Sequence, residues 1–311
     1  MINRIIKFFK RISRQVNKIE ELERHLKWDI KSPKVNLGQI QTLLNNQRKD
    51  ISSINEVEFS VFSQMGDDGI IQYLINKLDI PHKSFIEFGV ENYTESNTRF
   101  LLINNNWSGM VMDGSKENID FINRDIISWR YDLHIRHAFI TRDNINGIIS
   151  DFLAEGYDQE IGLLSIDIDG NDYWVWKEIN VIKPIIIITE YNAVFGRRNA
   201  WTIPYKDDFN RLAEHKSYQY WGASLKALCD LAVMKGYYFI GCNSSGNNAY
   251  FVRKDKIGDL KPLTCEEGFR DSKFREFINE EGKKISGHKR IDLIKGMKIF
   301  NTETDQIEII P

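Results

Sequence analysis

From Phe59 onward the chain alternates short, apolar, β-rich runs with amphipathic stretches of helical length, and few folds accommodate that alternation. The runs are "SFIEFG", "GMVMDGS", "LHIRHAFI", "IGLLSIDID", "PIIIITEYN" and "GYYFIGCN"; the stretches between them begin near Glu95, Lys116, Arg142, Asp172 and Gly222. A helix between two strands is a crossover, which calls for parallel strands with right-handed connections. Such a sheet is covered on both faces, so its strands read as continuous apolar runs. The last run leaves no room for a helix before "NAYFVR", so this segment is expected to return antiparallel through a turn at Gly246. The expected fold class is therefore α/β, a mostly parallel sheet with an antiparallel last strand.

Ahead of this region, Ile5, Phe9, Ile12, Val16 and Ile19 recur at spacings of four and three, and the charges up to Lys18 are all basic. This is the stripe of an amphipathic helix. It suits an anionic membrane surface or a partner helix in a coiled coil, and periodicity does not choose between them. Pro33 interrupts the pattern, and a second polar helix with Ile40, Leu43, Leu44 and Ile51 is expected to run to about Val57. The chain thus divides into N-terminal helices (1–57), an α/β domain (58–256) and a C-terminal extension (257–311). The extension reads as a polar helix, a basic turn and a short strand that covers the domain or mediates oligomerisation.

With 311 residues and 42% hydrophobic content the chain can bury a sizeable core. Its formal net charge of −2 gives no global attraction to a polyanion, so no nucleic-acid partner is expected. Cys229, Cys242 and Cys265 lack metal spacing and cannot all pair, which suits reduced thiols in the cytoplasm. "PIIIIT" is too short to span a bilayer, and the basic N-terminus interrupts any signal-peptide core. The expected location is cytoplasmic, with peripheral contact at the inner face of the membrane if the first helix binds lipid.

In an open α/β sheet, ligands bind beyond the carboxyl ends of the strands. The polar residues that close the apolar runs are Glu87, Gly89, Asp113, Thr141, Asp167, Asp169, Glu190 and Asn192. Asp113, Gly114 and Ser115 suit a nucleoside, since an acid ending the second strand accepts bonds from ribose hydroxyls, and Glu87 with Gly89 occupies the first turn. The competing reading is that Glu87 and Asp113 cap nearby backbone N–H groups.

"FSQMGDDGI", "FIEFGVENYTESNTRFLL", "WSGMVMDGS", "LLSIDIDGNDYWVWKEI" and "IIITEYN" together resemble the FkbM-like branch of the class I S-adenosylmethionine-dependent methyltransferases, over about Phe59 to Lys254. The resemblance implies a Rossmann-like seven-stranded sheet and S-adenosylmethionine as cofactor. It implies that Glu87 and Gly89 border the methionine end, that Asp113 holds the ribose, and that Thr141 or Asp143 lies near adenine. The turn Gly89-Val90-Glu91 departs from the G-x-G of these enzymes.

Asp167 and Asp169 alternate to the same side of the fourth strand, and in this strand order Glu190 and Asn192 of the fifth lie beside them. Such a hard-oxygen set suits Mg2+ or Mn2+. By resemblance to sugar and catechol methyltransferases, an ion there binds substrate hydroxyls and lowers the pKa of the one attacked. The alternative gives Asp167 to the cofactor amine, Asp169-Gly170-Asn171 to a turn and Asp172 to an N-cap. His215 is the candidate general base among the histidines. The insertion "VFGRRNAWTIPYKDDFNRLAEHKSYQYWGAS" supplies Arg197, Arg198, Trp201, Tyr205 and Tyr220, and the last hairpin supplies Asn243 and Asn248, as a wall for a sugar or glycan acceptor. The expected activity is O-methylation of a sugar or glycan hydroxyl. Other chemistry on a nucleotide or sugar ligand, or a scaffold without turnover, stays open as an alternative.

Overall fold

The computed structural model describes residues 15, 33–273, 277–278, 284–285 and 287–311; apart from position 15, the basic stripe from Ile5 to Ile19 lies outside them. The six runs form strands β1 (Ser84–Phe88), β2 (Ser108–Asp113), β3 (Leu133–His137), β4 (Leu163–Ile166), β5 (Ile186–Glu190) and β7 (Tyr237–Cys242). β8 (Asn248–Arg253) follows β7 through the turn at Gly246, where φ is +78°. The seven-stranded sheet has the order β3-β2-β1-β4-β5-β8-β7, and β8 runs antiparallel to both its neighbours. The alternation of runs predicts the mostly parallel sheet with an antiparallel last strand, and the family resemblance implies its Rossmann-like seven-stranded form.

The absence of inside-outside alternation has a direct cause. Successive side chains of a strand leave on opposite faces, and here both faces are packed. Ile86, Phe88, Met110, Met112, Leu164, Ile166 and Ile187 meet Ile149 and Phe152 of α4 (Ile145–Ala154), Val175 and Trp176 of α5 (Asp172–Glu178) and Leu228 of α6 (Leu225–Lys235). Phe85, Val111, Leu163, Ile186 and Ile188 meet Leu74 of α1 (Asp67–Lys77), Leu101 of α2 (Arg99–Asn105) and Ile122 of α3 (Lys116–Arg124). At about 1.5–3 kcal/mol for each fully buried large apolar side chain, these two cores dominate the driving force for folding.

Two expectations are corrected. The second N-terminal helix covers 33–47 and stops well short of Val57. Ser53 starts a separate 3-10 turn, Ile54–Val57, where it and Glu56 form a reciprocal capping box that ends helical continuity. In the C-terminal extension, part of the stretch expected as a polar helix is instead a short ladder, β9 (Phe277–Ile278) with β10 (Lys284–Ile285). Further on, β11 (Lys298–Asn301) pairs with β12 (Gln306–Ile309) and with β6 (Trp201–Thr202) of the long insertion. A third apolar cluster of Phe195, Ile203, Phe209, Tyr220, Trp221, Ile294, Ile299 and Ile310 binds insertion and extension together. The extension thereby fixes the insertion over the carboxyl edge of the sheet.

Candidate active site

At the carboxyl edge, the turn after β1 fits between β2 and β4. Gly89 has φ +68°, and a Cβ built on it would lie 1.6 Å from the carbonyl oxygen of Asp167. Only glycine permits this approach. The turn is read in the sequence as an opening for a ligand, but the Asp167 backbone fills the space a side chain would need. Glu91 and Tyr93 also adopt positive φ, at 48° and 59°. Glu87 is buried, and burial raises its pKa; its carboxylate accepts from the N–H groups of Asn97 (2.9 Å) and Thr98 (3.0 Å) and from the Thr98 hydroxyl. It holds the start of α2 in place.

Asp113 ends β2. Its Oδ1 accepts from Ser115 N–H (2.7 Å) and Asn118 Nδ2 (3.0 Å), while Oδ2 accepts from Glu91 N–H (2.8 Å). A carboxylate has about four acceptor positions, so this pattern ties the β1 turn to α3 and leaves one position on Oδ2. Ser115 caps α3. Beside Gly114, whose Cβ direction points at the Phe139 ring (3.3 Å), Phe139 is 54% exposed. Thr141 and Asn144 cap one another, and exposed Asp143 faces Arg142 at 3.5 Å. Phe139 is the flat apolar surface nearest Asp113 that sequence reasoning missed; its signal was an aromatic just past the end of β3.

The structure brings Asp167, Asp169 and Glu190 together, with one carboxylate oxygen of each within 4.8 Å of the others. Burial, then the charges of Asp169 and Asp172, push the Asp167 pKa well above the usual carboxylate range. Burial and the neighbouring Asp167 do the same to Glu190. Asp169 sits at φ +55°, a left-handed position that aspartate tolerates, and accepts from Arg211 Nη1 at 2.8 Å. Glu190 Oε2 is buried and receives no hydrogen bond from the described residues. Three hard oxygen donors around a buried, unsatisfied carboxylate oxygen fit a magnesium-like ion.

Asn192 does not join that set: its Oδ1 accepts from Val194 N–H, and its Nδ2 donates to the carbonyls of Gln219 and Trp221. Asp172 is not the N-cap of α5, a position held by Asn171. Its carboxylate instead accepts from Ile168 and Gly170 N–H, both at 3.0 Å, and so shapes the turn that carries Asp169. That turn is pressed from above by the insertion, where the Phe209 ring lies 2.2 Å from where a Gly170 Cβ would stand.

The residues assigned from sequence to a substrate wall are mostly spent on holding the insertion down. Arg197 stacks on Phe269 and Arg198 pairs with Glu266, both in the C-terminal extension. Trp201 lies in β6, and the Tyr220 hydroxyl donates to Lys298 O. Tyr205 stacks under Arg142 at 4.0 Å, clamping the insertion to the loop after β3. Asn243 and Asn248 both donate to Oδ1 of buried Asp67 at 3.0 Å, and Tyr250 donates there too. His215 Nδ1 accepts from the Ser217 N–H (3.2 Å) and lies 2.7 Å from the Ser217 hydroxyl oxygen, and burial lowers its pKa.

Other side chains border the acids instead. Arg211 lies over the Trp221 ring at 4.5 Å while it holds Asp169. Gln219, Trp221, Asn247 and Arg290 line a small cleft with Glu190. Arg290 comes from the extension, where sequence reasoning found no chemistry; a lone arginine in "GHKRID" carries no spacing that marks it.

No family model matches the chain, and no curated protein matches it. Solved structures similar to it include an S-adenosylmethionine-dependent methyltransferase from Clostridium acetobutylicum ATCC 824, at 10% identity and TM-score 0.36, over 60% of this chain and 90% of that one. An O-methyltransferase from Bacillus cereus in complex with SAH is 11% identical with TM-score 0.34, over 71% and 91%. The N-terminal domain of EvdMO1, solved in the presence of SAH and D-fucose, is 10% identical with TM-score 0.37, over 69% and 94%. Likenesses this distant add nothing to the strand order above, and the functional argument rests on the chain's own residues.

Proposed function

We propose that this protein is an S-adenosylmethionine-dependent O-methyltransferase of the FkbM-like kind, acting on a hydroxyl of a sugar or glycan acceptor. The observation that carries the reading is the arrangement about β1. Asp113, with a spare acceptor position beside the exposed Phe139 ring, stands on one side of the Gly89 turn, and the Asp167, Asp169 and Glu190 carboxylates stand on the other. β1 is also where the strand order reverses, the usual place for a nucleotide in an open α/β sheet.

S-adenosylmethionine, when bound, supplies the methyl group: the acceptor oxygen gains the O–CH3 bond, and the electron pair of the broken C–S bond stays on sulfur. Asp113 Oδ2 would accept a ribose hydroxyl, and Phe139 would cover a purine face. Asp167 or Glu190, whose pKa burial and the neighbouring carboxylates raise, would in its ionised form take the proton lost by the acceptor hydroxyl. Asp167, Asp169 and Glu190 would also be the ligands of a divalent ion, which supplies Lewis acidity toward that hydroxyl. Arg211 keeps Asp169 in place.

The test is cofactor binding. S-adenosylhomocysteine is expected to raise the melting temperature saturably, since a ligand of the folded state stabilises it by about 2.7 kcal/mol at 100 times its Kd. Asp113→Ala should abolish most of that rise. One observation favours the scaffold without turnover: Glu87 and three of the four acceptor positions of Asp113 already serve the fold. No shift at millimolar ligand would decide for the scaffold.

For the N-terminal region we propose helix-mediated self-association. The support is a stripe of exposed Leu37, Ile40, Leu43 and Leu44 on the 33–47 helix, whose other face carries mostly uncharged polar residues and so offers little to an anionic lipid. Among the described residues no helix is long and apolar enough to cross a membrane. Light scattering should find a dimer or larger that Leu37→Glu with Leu44→Glu converts to monomer. Flotation of the full chain with anionic liposomes, unaffected by those changes, would favour membrane contact.

A further inference from the structure

The cleft beside Glu190 contains a polar group that the fold leaves unsatisfied. Trp221 is only 6% exposed, and its Nε1–H finds no acceptor among the described residues. A buried N–H without a partner costs about 1–3 kcal/mol, so a native structure keeps one only where something else satisfies it. Trp221 is also held in one orientation. Arg211 lies over its ring at 4.5 Å, and the same guanidinium donates to Asp169. The ring is thus tied to the acidic cluster through one shared side chain.

Trp221 lines the cleft together with Glu190, Gln219, Asn247 and Arg290. The interior has room for about one water-sized group. What fits must accept a hydrogen bond from an indole N–H, which only donates, and be able to donate to a carboxylate, which only accepts. A hydroxyl does both in the volume of one water. A carboxylate or phosphate oxygen would satisfy Trp221 but bring no proton for Glu190 to accept, and an ammonium would donate to Glu190 but could not accept from Trp221.

We propose that this cleft is an acceptor subsite that takes a second hydroxyl of a polyhydroxylated substrate, with Trp221 Nε1–H as donor and Glu190 as acceptor, beside the hydroxyl presented to Asp167 and Asp169. The inference rests on the methyltransferase reading and adds to it the requirement that the acceptor carry at least two neighbouring hydroxyls. Trp221 then selects polyols over mono-alcohols and orients the one that reacts.

The test uses the full chain with 15N-labelled indoles, the Trp221 resonance being assigned by its loss in Trp221→Phe, which keeps an aromatic ring over Arg211. The probes are methyl glycosides of glucose, galactose and mannose with their singly deoxygenated analogues. At least one glycoside is expected to move the Trp221 Nε1–H resonance saturably, and Trp221→Phe should weaken its binding about tenfold. One deoxy analogue of that glycoside should bind the wild type and Trp221→Phe equally, because it lacks the hydroxyl that Trp221 holds. The proposal is overturned if no glycoside moves the resonance, which would leave water as the only occupant, or if the variant binds every probe as the wild type does. Thermal stabilisation by S-adenosylhomocysteine, measured on the same samples, reports separately on the methyltransferase reading and should be unchanged by Trp221→Phe.

Discussion

Asp167→Asn is expected to cut methyl transfer, followed as S-adenosylhomocysteine release, by roughly 10²- to 10⁴-fold while raising the melting temperature of the metal-free protein. The two effects have one cause. Asp167 and Glu190 are forced against each other and Asp169 in partial burial, so ionising all of them is costly unless a cation or a proton intervenes. Their folded-state pKa values lie above the unfolded value of about 4. As the pH rises through that window the folded state holds protons the unfolded state has already lost, and stability falls; it is fully present only below the window. The asparagine removes one charge from the cluster, so the variant should gain a few degrees at neutral pH, the scale of about 1 kcal/mol in a domain of this size, and lose less as the pH rises. Millimolar Mg2+ or Mn2+ should produce the same flattening in the wild type and none in the variant. Melting curves that fall in parallel with pH, with turnover intact and indifferent to EDTA, would remove both the metal and the proton-accepting role.

What could be read in the sequence, and what could not, follows from how far each interaction reaches along the chain. The strands were legible because "IIIIT" and "LLSI" bury both faces and so advertise a covered parallel sheet in composition alone, whereas their order came only with the family resemblance. The acid trio was legible too, since Asp167 and Asp169 sit two residues apart and Glu190 ends the neighbouring strand. Asn192 was separated from Glu190 by the same spacing but leaves the strand at a 3-10 turn, where capping Val194 claims its oxygen. The insertion misled for another reason. Aromatic and arginine side chains look alike in sequence whether they face a ligand or the 257–311 extension, and the side chains of Arg198 and Tyr220 find partners 68 and 78 residues away, while Arg197 lies over the Phe269 ring. Arg211 and Arg290 were hidden by the same distances, reaching Asp169 and Gln219 across 42 and 71 residues.

The amides of the final hairpin give the second large effect. Asp67→Ala should destabilise the protein by about 4 kcal/mol, because Asn243, Asn248 and Tyr250 all donate to its Oδ1, and each buried donor left unpaired costs about 1–3 kcal/mol with incomplete additivity. Urea unfolding should show the midpoint falling at unchanged slope, and heating should show a loss of about 10 °C. Asp67→Asn, which retains one acceptor oxygen at the same point, should recover most of the loss. The consequence reaches the site through the sheet. Asn248 is the registered partner of Glu190 across the β5–β8 ladder, so loosening the hairpin loosens the strand that presents the unsatisfied carboxylate. Asp67→Ala held at a temperature where it stays folded should therefore bind Mg2+ more weakly than wild type by calorimetry, although Asp67 touches none of the three acids. Equal affinity would mean that β5 alone positions Glu190 and that Asn243 and Asn248 of the final hairpin serve stability only.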